Sequence, residues 1–258
     1  MCLSFRVIDR VEVPLERGLY IAASGMLAEQ VRQDQIANDL ANASTPGYKP
    51  DRSAQASFGD LLLANSATGA TIGPLSLGTR IAEIRTDLSQ GPLAQTGNTL
   101  DLALSGDGFF AVSTPAGVRY TRAGQMALDS NGNLVTGTGL TVLGTNGKPI
   151  HIGNADDLSV APDGTVKTGT TTVGTIAVVS LTGAVKQGDN LFTGSPGAKP
   201  ADTEVEQGFI EQSGVEPARS MVDMIVSMRA YEASQRVLHA IDDTLGKAVS
   251  SVGSATGV

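Results

Sequence analysis

The chain has 258 residues, of which 41% are apolar, and its 18 basic and 26 acidic side chains leave a formal charge of −8. The apolar fraction suffices for a packed core, whereas an acidic balance without a Lys/Arg cluster argues against nucleic-acid binding, whose affinity comes mostly from phosphate contacts. The single cysteine, Cys2, excludes a disulfide framework and a cysteine-rich zinc site, and no stretch reaches the ~18 uncharged apolar residues of a membrane-spanning helix.

The first predicted element is a helix from about Arg17 to Ala41, because its apolar residues recur mostly at three- and four-residue spacing. Pro46 forbids its continuation. We assign residues 17–45 to this helical segment. Residues 1–16 are predicted to be a non-native or disordered extension, with the translation start near Leu15.

The middle of the chain is predicted to be β-rich. Glutamate, a good helix former, is missing from residues 84 to 203, where Thr, Val and Gly dominate. Such a composition is typical of short strands joined by tight turns, and its Asp-Gly and Asp-x-x-Gly sequences supply the positive φ angles that hairpins need. We therefore predict an extended arm over residues 46–98, a β domain over 99–200 and a connector over 201–216.

The last predicted helix covers residues 217–250, and residues 251–258 follow as a tail. Pro217 suits a first helical turn, where its missing N–H is no loss. One long apolar stripe runs along this helix: Met221, Met224, Ile225, Met228, Tyr231, Leu238, Ile241, Leu245 and Val249.

The predicted fold class is α+β, with long N- and C-terminal helices pairing as a coiled coil and a β-rich, mainly antiparallel middle domain. Both helices far exceed the average of about 11–12 residues, so their apolar faces must pair with each other or with neighbours. Packing of each helix on its own domain is the alternative.

Two asparagines of the first helix, Asn38 and Asn42, are four residues apart and therefore share one face. Asn42 suits a C-terminal cap and Asn38 suits exposure to solvent. In a buried seam between helices, asparagine would instead fix the register and the partner.

The sequence carries no signature of catalysis or of metal or cofactor binding. Residues 144–149 lack the Ser or Thr that a P-loop needs, and the loop that opens at Asp129 lacks the glycine and the glutamate of a calcium loop. His151 and His239 lie far apart, and no pair of carboxylates stands out for glycosidase chemistry. We therefore predict no enzyme activity and no catalytic, cofactor or metal site.

Several motifs carry a resemblance to a known family. The helical start GLYIAASGM (18–26) is followed by QIANDLANASTPGYK (35–49), and the second half of the chain contains GFIEQSGVEP (208–217) and MVDMIVSMRAYE (221–232). Between them lie DLALSGDGFFAV (101–112), YTRAG (120–124) and LDSNGNLV (128–135). Together these stretches resemble the signatures of the flagellar rod, hook and hook-associated axial proteins.

Within that family, the length and the single β domain fit a rod subunit, and SQGPLAQTG (89–97) is most similar to the distal rod members. The arm after Phe58–Leu63 is shorter than in those members, and Gly214–Glu216 replaces their Asn-Val-Asn. A proximal rod or hook-like axial subunit is therefore the alternative. Outside the family, the alternative is a secreted β-rich adhesin or enzyme.

The resemblance implies a structural subunit of the flagellar basal-body rod, which polymerises into a tube that transmits torque from motor to hook and lines the export channel. The implied partners are further copies of the chain, other rod and hook proteins in a helical tube, the flagellar export apparatus and the bushing rings around the rod. Nucleic acid and membrane insertion are not expected. The subunit would leave the cytoplasm without a cleavable signal peptide and reside in the basal body, within the cell envelope.

The assembly interface is predicted on both terminal segments. In the N-terminal signature it comprises Leu19, Met26, Ile36, Asn38, Leu40, Asn42, Ser44 and Gly47. On the C-terminal helix it comprises Met221, Met224, Ile225, Met228, Tyr231, Leu238, Ile241 and Leu245.

Overall fold

A computed structural model describes residues 12–64, 71–153 and 157–255. The chain divides into two compact units. The first, here the helical unit, contains the described parts of Met1–Asn38, Arg52–Arg85 and Ala218–Val258. The second, here the β unit, contains Asp39–Asp51 and Thr86–Pro217. Most of the predicted extension at residues 1–16 lies outside the described residues, since the structure begins at Glu12.

Two helices frame the sequence, α1 (Glu12–Ala41) and α2 (Pro217–Ala255). With 39 residues, α2 is about 58 Å long at 1.5 Å per residue. Among the described residues, neither helix is long and apolar enough to cross a membrane. The predicted fold class agrees with the structure in part, since two terminal helices flank a β-rich middle.

The predicted coiled-coil pairing of the terminal helices is wrong. In the described contact between them, the Ser227 hydroxyl donates to Oε2 of Glu29 over 2.6 Å, so polar atoms occupy this junction. Met221, Ile225 and Met228 of the predicted stripe are 53%, 52% and 50% exposed. A coiled coil would bury such residues as interlocking knobs, so these three do not form its seam.

Between the helices, the described residues form nineteen strands, and their bounds in chain order are as follows. They are β1 Asp51–Ser57, β2 Asp60–Ala64, β3 Thr71–Ser76, β4 Thr79–Thr86, β5 Leu93–Gln95, β6 Leu102–Ser105, β7 Phe109–Thr114, β8 Gly117–Thr121, β9 Met126–Leu128, β10 Leu134–Thr136, β11 Thr141–Val142, β12 Leu158–Val160, β13 Thr165–Thr168, β14 Thr171–Thr175, β15 Val178–Val179, β16 Leu181–Lys186, β17 Leu191–Pro196, β18 Glu204–Gln207 and β19 Phe209–Glu211.

The strands form one large sheet and several small ones. The large sheet of the β unit has the order β16-β17-β8-β7-β11-β10-β9, and β15 also pairs with β7. Small sheets of the same unit are β12-β13-β14, β18-β6 and β19-β5, all with antiparallel pairing. In the helical unit, β1 pairs with β4 and β2 pairs with β3.

The core of the β unit lies on both faces of β7. Phe110 and Val112 are fully buried in the larger apolar cluster, whereas Phe109 and Ala111 belong to a second cluster on the other face. Successive side chains of a strand point to opposite faces, so a continuous apolar run such as this one is expected for a strand covered on both sides.

The turn acids of the β unit are bound by their own turns. Oδ1 of Asp129 accepts the N–H groups of Asn131 and Asn133, each over 2.8 Å, and Oδ2 accepts Nδ2 of Asn133 over 2.9 Å. Asp163 accepts the N–H and the hydroxyl of Thr165 in the same way. These hydrogen bonds, that of the Asn133 N–H first, hold the pKa of Asp129 below its ordinary value of 3.8.

We expect Asp129→Asn to lower the stability of the β unit slightly at neutral pH and to leave its fold unchanged, because asparagine tolerates the same turn. Since the folded-state pKa is lowered, this stabilisation is present above pH 3.8 and is lost as the pH falls through the folded value. Urea unfolding should therefore separate wild type from variant at neutral pH and show no difference well below pH 3.8. A difference that grows in acid would contradict this.

Candidate functional site

The predicted assembly residues of the N-terminal segment divide between the two units. Leu19, Met26, Ile36 and Asn38 lie in the helical unit, and the rest lie in the β unit. Asn38 and Ser44 are exposed, and Gly47 is buried. The others, Leu19, Met26, Ile36, Leu40 and Asn42, are half-buried.

Asn42 lies in the turn that ends α1. Its Oδ1 accepts the hydroxyl of Thr45 over 3.2 Å, and its carbonyl accepts the N–H of Thr45 over 3.1 Å. These contacts stabilise the turn after α1, and both the capping role of Asn42 and the role of Asn38 and Asn42 in an interface stay predictions.

The predicted assembly residues of α2 differ in exposure. Met224, Tyr231, Leu238 and Ile241 are half-buried, whereas Met221, Ile225, Met228 and Leu245 are exposed. The half-buried set lies on the side of α2 that faces α1, where a Cβ added to Gly18 would lie 3.1 Å from Cδ1 of Ile241. Met221, Ile225 and Met228 leave an apolar face of α2 uncovered in the single chain.

A buried cluster of three charged residues, here the charge cluster, joins distant parts of the β unit. Lys49, Arg122 and Glu211 are 0%, 2% and 1% exposed. Nζ of Lys49 donates to Oε1 of Glu211 over 2.5 Å, and Nη1 of Arg122 donates to Oε2 over 3.1 Å. Buried charges are stable only when they are paired and hydrogen-bonded, and here one carboxylate serves two cations.

Backbone groups complete the charge cluster. Oε1 of Glu211 also accepts the N–H of Gly91 over 2.7 Å, and Arg122 donates from Nη2 to the carbonyl of Gly106 over 2.9 Å. Lys49 donates to the carbonyl of Ser89 over 2.6 Å. Burial lowers the pKa of Lys49, and the neighbouring carboxylate only partly offsets that effect. The cluster therefore fixes the segments before β1, around β5 and before α2 to one another.

A second polar group lies beside the charge cluster. The Tyr48 hydroxyl donates to Oδ1 of Asp39 over 2.9 Å, and Nζ of Lys186 lies 4.0 Å above the Tyr48 ring. Lys186 also donates to the carbonyl of Lys49 over 2.8 Å and to Asp51 over 3.3 Å. Burial raises the pKa of Asp39, although the hydrogen bond from Tyr48 acts in the opposite direction. Burial also raises the pKa of Tyr48, and the hydrogen bond to Asp39 raises it further.

Gly47 connects this region to the charge cluster. Its N–H donates to the carbonyl of Glu211 over 2.8 Å, and its φ angle of 67° belongs to the left-handed region. A Cβ at this position would lie 2.5 Å from the carbonyl carbon of Arg122. Only glycine allows both the φ angle and this close approach of two backbones.

Gly47→Ala is therefore expected to destabilise the β unit by about 2–4 kcal/mol, since a strained φ angle and a backbone clash add together. Urea unfolding of the purified chain measures this change. Gly139→Ala is the matched control, because Gly139 has a similar φ of 84° but open space around its Cβ position. If Gly47→Ala and Gly139→Ala lowered the free energy of unfolding equally, the clash with the backbone of Arg122 would have no effect on stability.

Sequence reasoning missed the charge cluster, although each of its members lies in a motif named above. Lys49 ends QIANDLANASTPGYK, Arg122 lies in YTRAG and Glu211 lies in GFIEQSGVEP. Charged side chains are usually exposed, so nothing local marks these three as buried. Asp39 and Glu216 lie in the same motifs as Lys49 and Glu211, so the sequence carried no signal that singles out the buried three. Among the described residues, no group of His, Cys, Asp and Glu could hold a metal ion.

Three family models match the chain. The model described as flagella basal body rod protein matches residues 19–49, the flagellar hook protein FlgE/F/G D1 domain matches 103–168, and the flagellar basal body rod FlgEFG protein C-terminal model matches 206–251. Lys49, Arg122 and Glu211 each lie in a different one of these matched regions.

Curated relatives match over nearly the whole chain. The flagellar basal-body rod protein FlgG of Bacillus subtilis is 35% identical, with 91% of this chain and 98% of the relative covered. FlgF of Caulobacter vibrioides is 32% identical, with 93% and 99% covered. FlgG of Borreliella burgdorferi is 35% identical, with 89% and 96% covered.

Proposed function

Because this chain belongs to the family of flagellar basal-body rod proteins and is a structural subunit of the rod, we propose that it polymerises with itself and with other rod and hook proteins into an axial tube. This tube would transmit torque from motor to hook and line the export channel. We propose the distal part of the rod as its place, on the resemblance of residues 89–97, with the proximal part as the alternative.

The observation that supports assembly is the uncovered apolar surface of both helices. Tyr20 and Leu27 of α1 are 55% and 65% exposed, and Val222 and Val226 of α2 are 59% and 52% exposed. Contiguous apolar surface of this kind marks interaction sites in proteins of known function. A subunit that is buried among neighbours in a polymer would cover it.

We also propose how the subunit reaches the rod and what it contacts there. The subunit would pass through the flagellar export apparatus without a cleavable signal, reach the basal body in the cell envelope and contact the bushing rings around the rod. It would have no catalytic function, and its charge cluster would serve to hold the fold together.

The test is to locate the chain in basal bodies purified from the bacterium that carries the gene. Deletion of the gene should abolish motility, and a cryo-EM map of the basal body should place the chain in the rod wall and decide between the distal and proximal positions. Normal motility of the deletion strain, or hydrolase activity of a purified chain that never enters the rod, would overturn the proposal.

A further inference from the structure

The first three turns of α2 have a polar side and an apolar side. One face turns towards α1, where Ser227 is fully buried against Glu29. The opposite face, here the α2 ridge, is half exposed and comprises Met221, Val222, Ile225, Val226 and Met228. The apolar stripe of a helix normally packs against another element, and the described part of the chain leaves the ridge half exposed, so the ridge is available for a partner.

The helical unit also carries an apolar groove, here the α1 groove. Its floor is a stripe of α1 with Tyr20, Leu27 and Val31, and its wall is Phe58 and Ile81 beside the β1–β4 pair. The cavity measures about 330 Å³, a size typical of binding clefts. The rings of Tyr20 and Phe58 lie 6.4 Å apart, so floor and wall meet through aromatic contact.

The wall of the groove is held against α1 by polar contacts. The N–H of Thr79 donates to Oγ of Ser24 over 3.3 Å, and Nε2 of Gln55 donates to Oε1 of Glu29 over 3.2 Å. Gly78 allows the close approach, since a Cβ at this position would lie too close to the Ser24 hydroxyl to fit without movement. The α1 groove is therefore formed before any partner binds.

We infer that the α1 groove of one copy receives the α2 ridge of a second copy, an inference that rests on the proposed polymerisation. The two surfaces of one chain cannot meet, because each helix uses its opposite face for the α1–α2 contact. Gly18, Gly25 and Glu29 face α2, whereas Tyr20 and Leu27 line the groove on the other side of α1.

The two surfaces match in length and chemistry. From Met221 to Met228 the ridge spans about 10 Å, and from Tyr20 to Val31 the groove floor spans about 16 Å at 1.5 Å per residue. Methionine adapts to irregular apolar surfaces, which suits a ridge that enters a preformed groove. The groove floor is thus long enough for the ridge.

One charged residue near the end of each surface, Arg80 of the groove and Glu232 beyond the ridge, is opposite in sign to the other. Arg80 lines the groove and has no ion pair within the part of the chain that the structure describes, and the same holds for Glu232. Glu232 follows Met228 by four residues and extends the ridge by one turn. With the ridge in the groove of the next copy, the two charges would lie at one rim of the contact.

A contact between two different surfaces has a further consequence. Each copy would keep one free ridge and one free groove, so the contact adds subunits without closing unless a ring forms. This is the geometry that a helical tube requires.

Charge exchange tests the contact. In the bacterium that carries the gene, Arg80→Glu and Glu232→Arg should each reduce the amount of chain in purified basal bodies by about tenfold, since like charges would then face each other. The double variant Arg80→Glu/Glu232→Arg should restore most of the wild-type amount of chain in basal bodies. Lys167→Glu, an exposed site of the β unit, is the control and should have no effect.

Cross-linking gives an independent measurement. In full-length Cys2→Ser protein, Leu27→Cys with Met228→Cys should form disulfides between subunits in isolated basal bodies and give a ladder of oligomers on gels. Either cysteine alone should give none. Circular dichroism of each purified variant verifies that it folds.

The outcomes separate the inference from the proposed function. If wild-type chain lies in the rod but the double variant is not restored and no ladder forms, the ridge does not enter the groove and the inference is wrong. If wild-type chain is absent from the rod, the proposed function fails together with the inference.

Discussion

Replacing Glu211 by alanine should lower the free energy of unfolding of the β unit by about 3–5 kcal/mol, the range for removing one partner of a buried ion pair. The carboxylate accepts hydrogen bonds from Lys49, Arg122 and the N–H of Gly91, and it is 1% exposed. Its loss would leave two cations in a site with no water to solvate them.

The two cations should respond differently to that loss. Burial already lowers the pKa of Lys49, so its ammonium can release a proton when the carboxylate is gone. Arg122 cannot do so, because a guanidinium stays charged in proteins. Most of the lost free energy should therefore come from Arg122, whose remaining contacts are the carbonyl of Gly106 and the face of Phe109, with 5.2 Å between the guanidinium carbon and the ring centre.

Urea unfolding of full-length protein and amide hydrogen exchange of β7 are suitable measurements. Lys49→Met should lower the free energy of unfolding less than Glu211→Ala does, because Glu211 would keep its hydrogen bonds from Arg122 and from the N–H of Gly91. The triple variant Lys49→Met/Arg122→Met/Glu211→Met should recover much of the loss, as apolar replacement of a whole buried ion cluster often does. A loss below about 1 kcal/mol for Glu211→Ala would show that water reaches the cluster.

Met228→Asp should block rod assembly and motility while it leaves the isolated chain folded. Met228 is 50% exposed in the single chain, so an aspartate there remains solvated and should change the stability by no more than about 0.5 kcal/mol. In a packed contact between subunits, the same carboxylate would be buried without a partner, at a cost of several kcal/mol repeated at every subunit of the polymer.

Two controls separate assembly from folding. Val118→Asp places the same charge at a site of β8 with 47% exposure and should leave motility intact. Leu238→Asp places it on the half-buried face towards α1, and this variant should lose stability as well as assembly. Swimming assays and microscopy of basal bodies measure the outcome, with export checked separately. If Met228→Asp assembled normally while Asp129→Asn abolished motility, the turn acids would have to carry a role in assembly.

The sequence by itself predicted the family and the presence of two terminal helices around a β-rich middle. These features depend on local chemistry that can be recognised residue by residue. Pro217 starts a helix well because it needs no N–H bond there, and a stretch without glutamate that is rich in Thr, Val and Gly favours strands and turns. The motifs that carry the family resemblance are likewise contiguous stretches of the chain.

The face that each helix presents to its neighbour was decided by tertiary structure. The apolar stripe of α2 suggested a coiled coil, yet α1 contacts the side with Ser227, where Gly18 and Gly25 allow close approach. Periodicity identifies a helix that is apolar on more than one side, but it cannot say which side is covered within the chain and which is left for another copy.

The charge cluster shows most clearly that sequence patterns do not determine which side chains meet in the folded chain. Lys49 and Glu211 are 162 positions apart, and they meet only because the β19–β5 and β18–β6 pairs bring the end of the β unit back to its beginning. No local pattern encodes a pairing over that distance, and the general preference of charges for solvent predicts the opposite placement. Only the strand order of the β unit determines that these three side chains lie together and away from water, since their burial depends on segments that are distant in sequence.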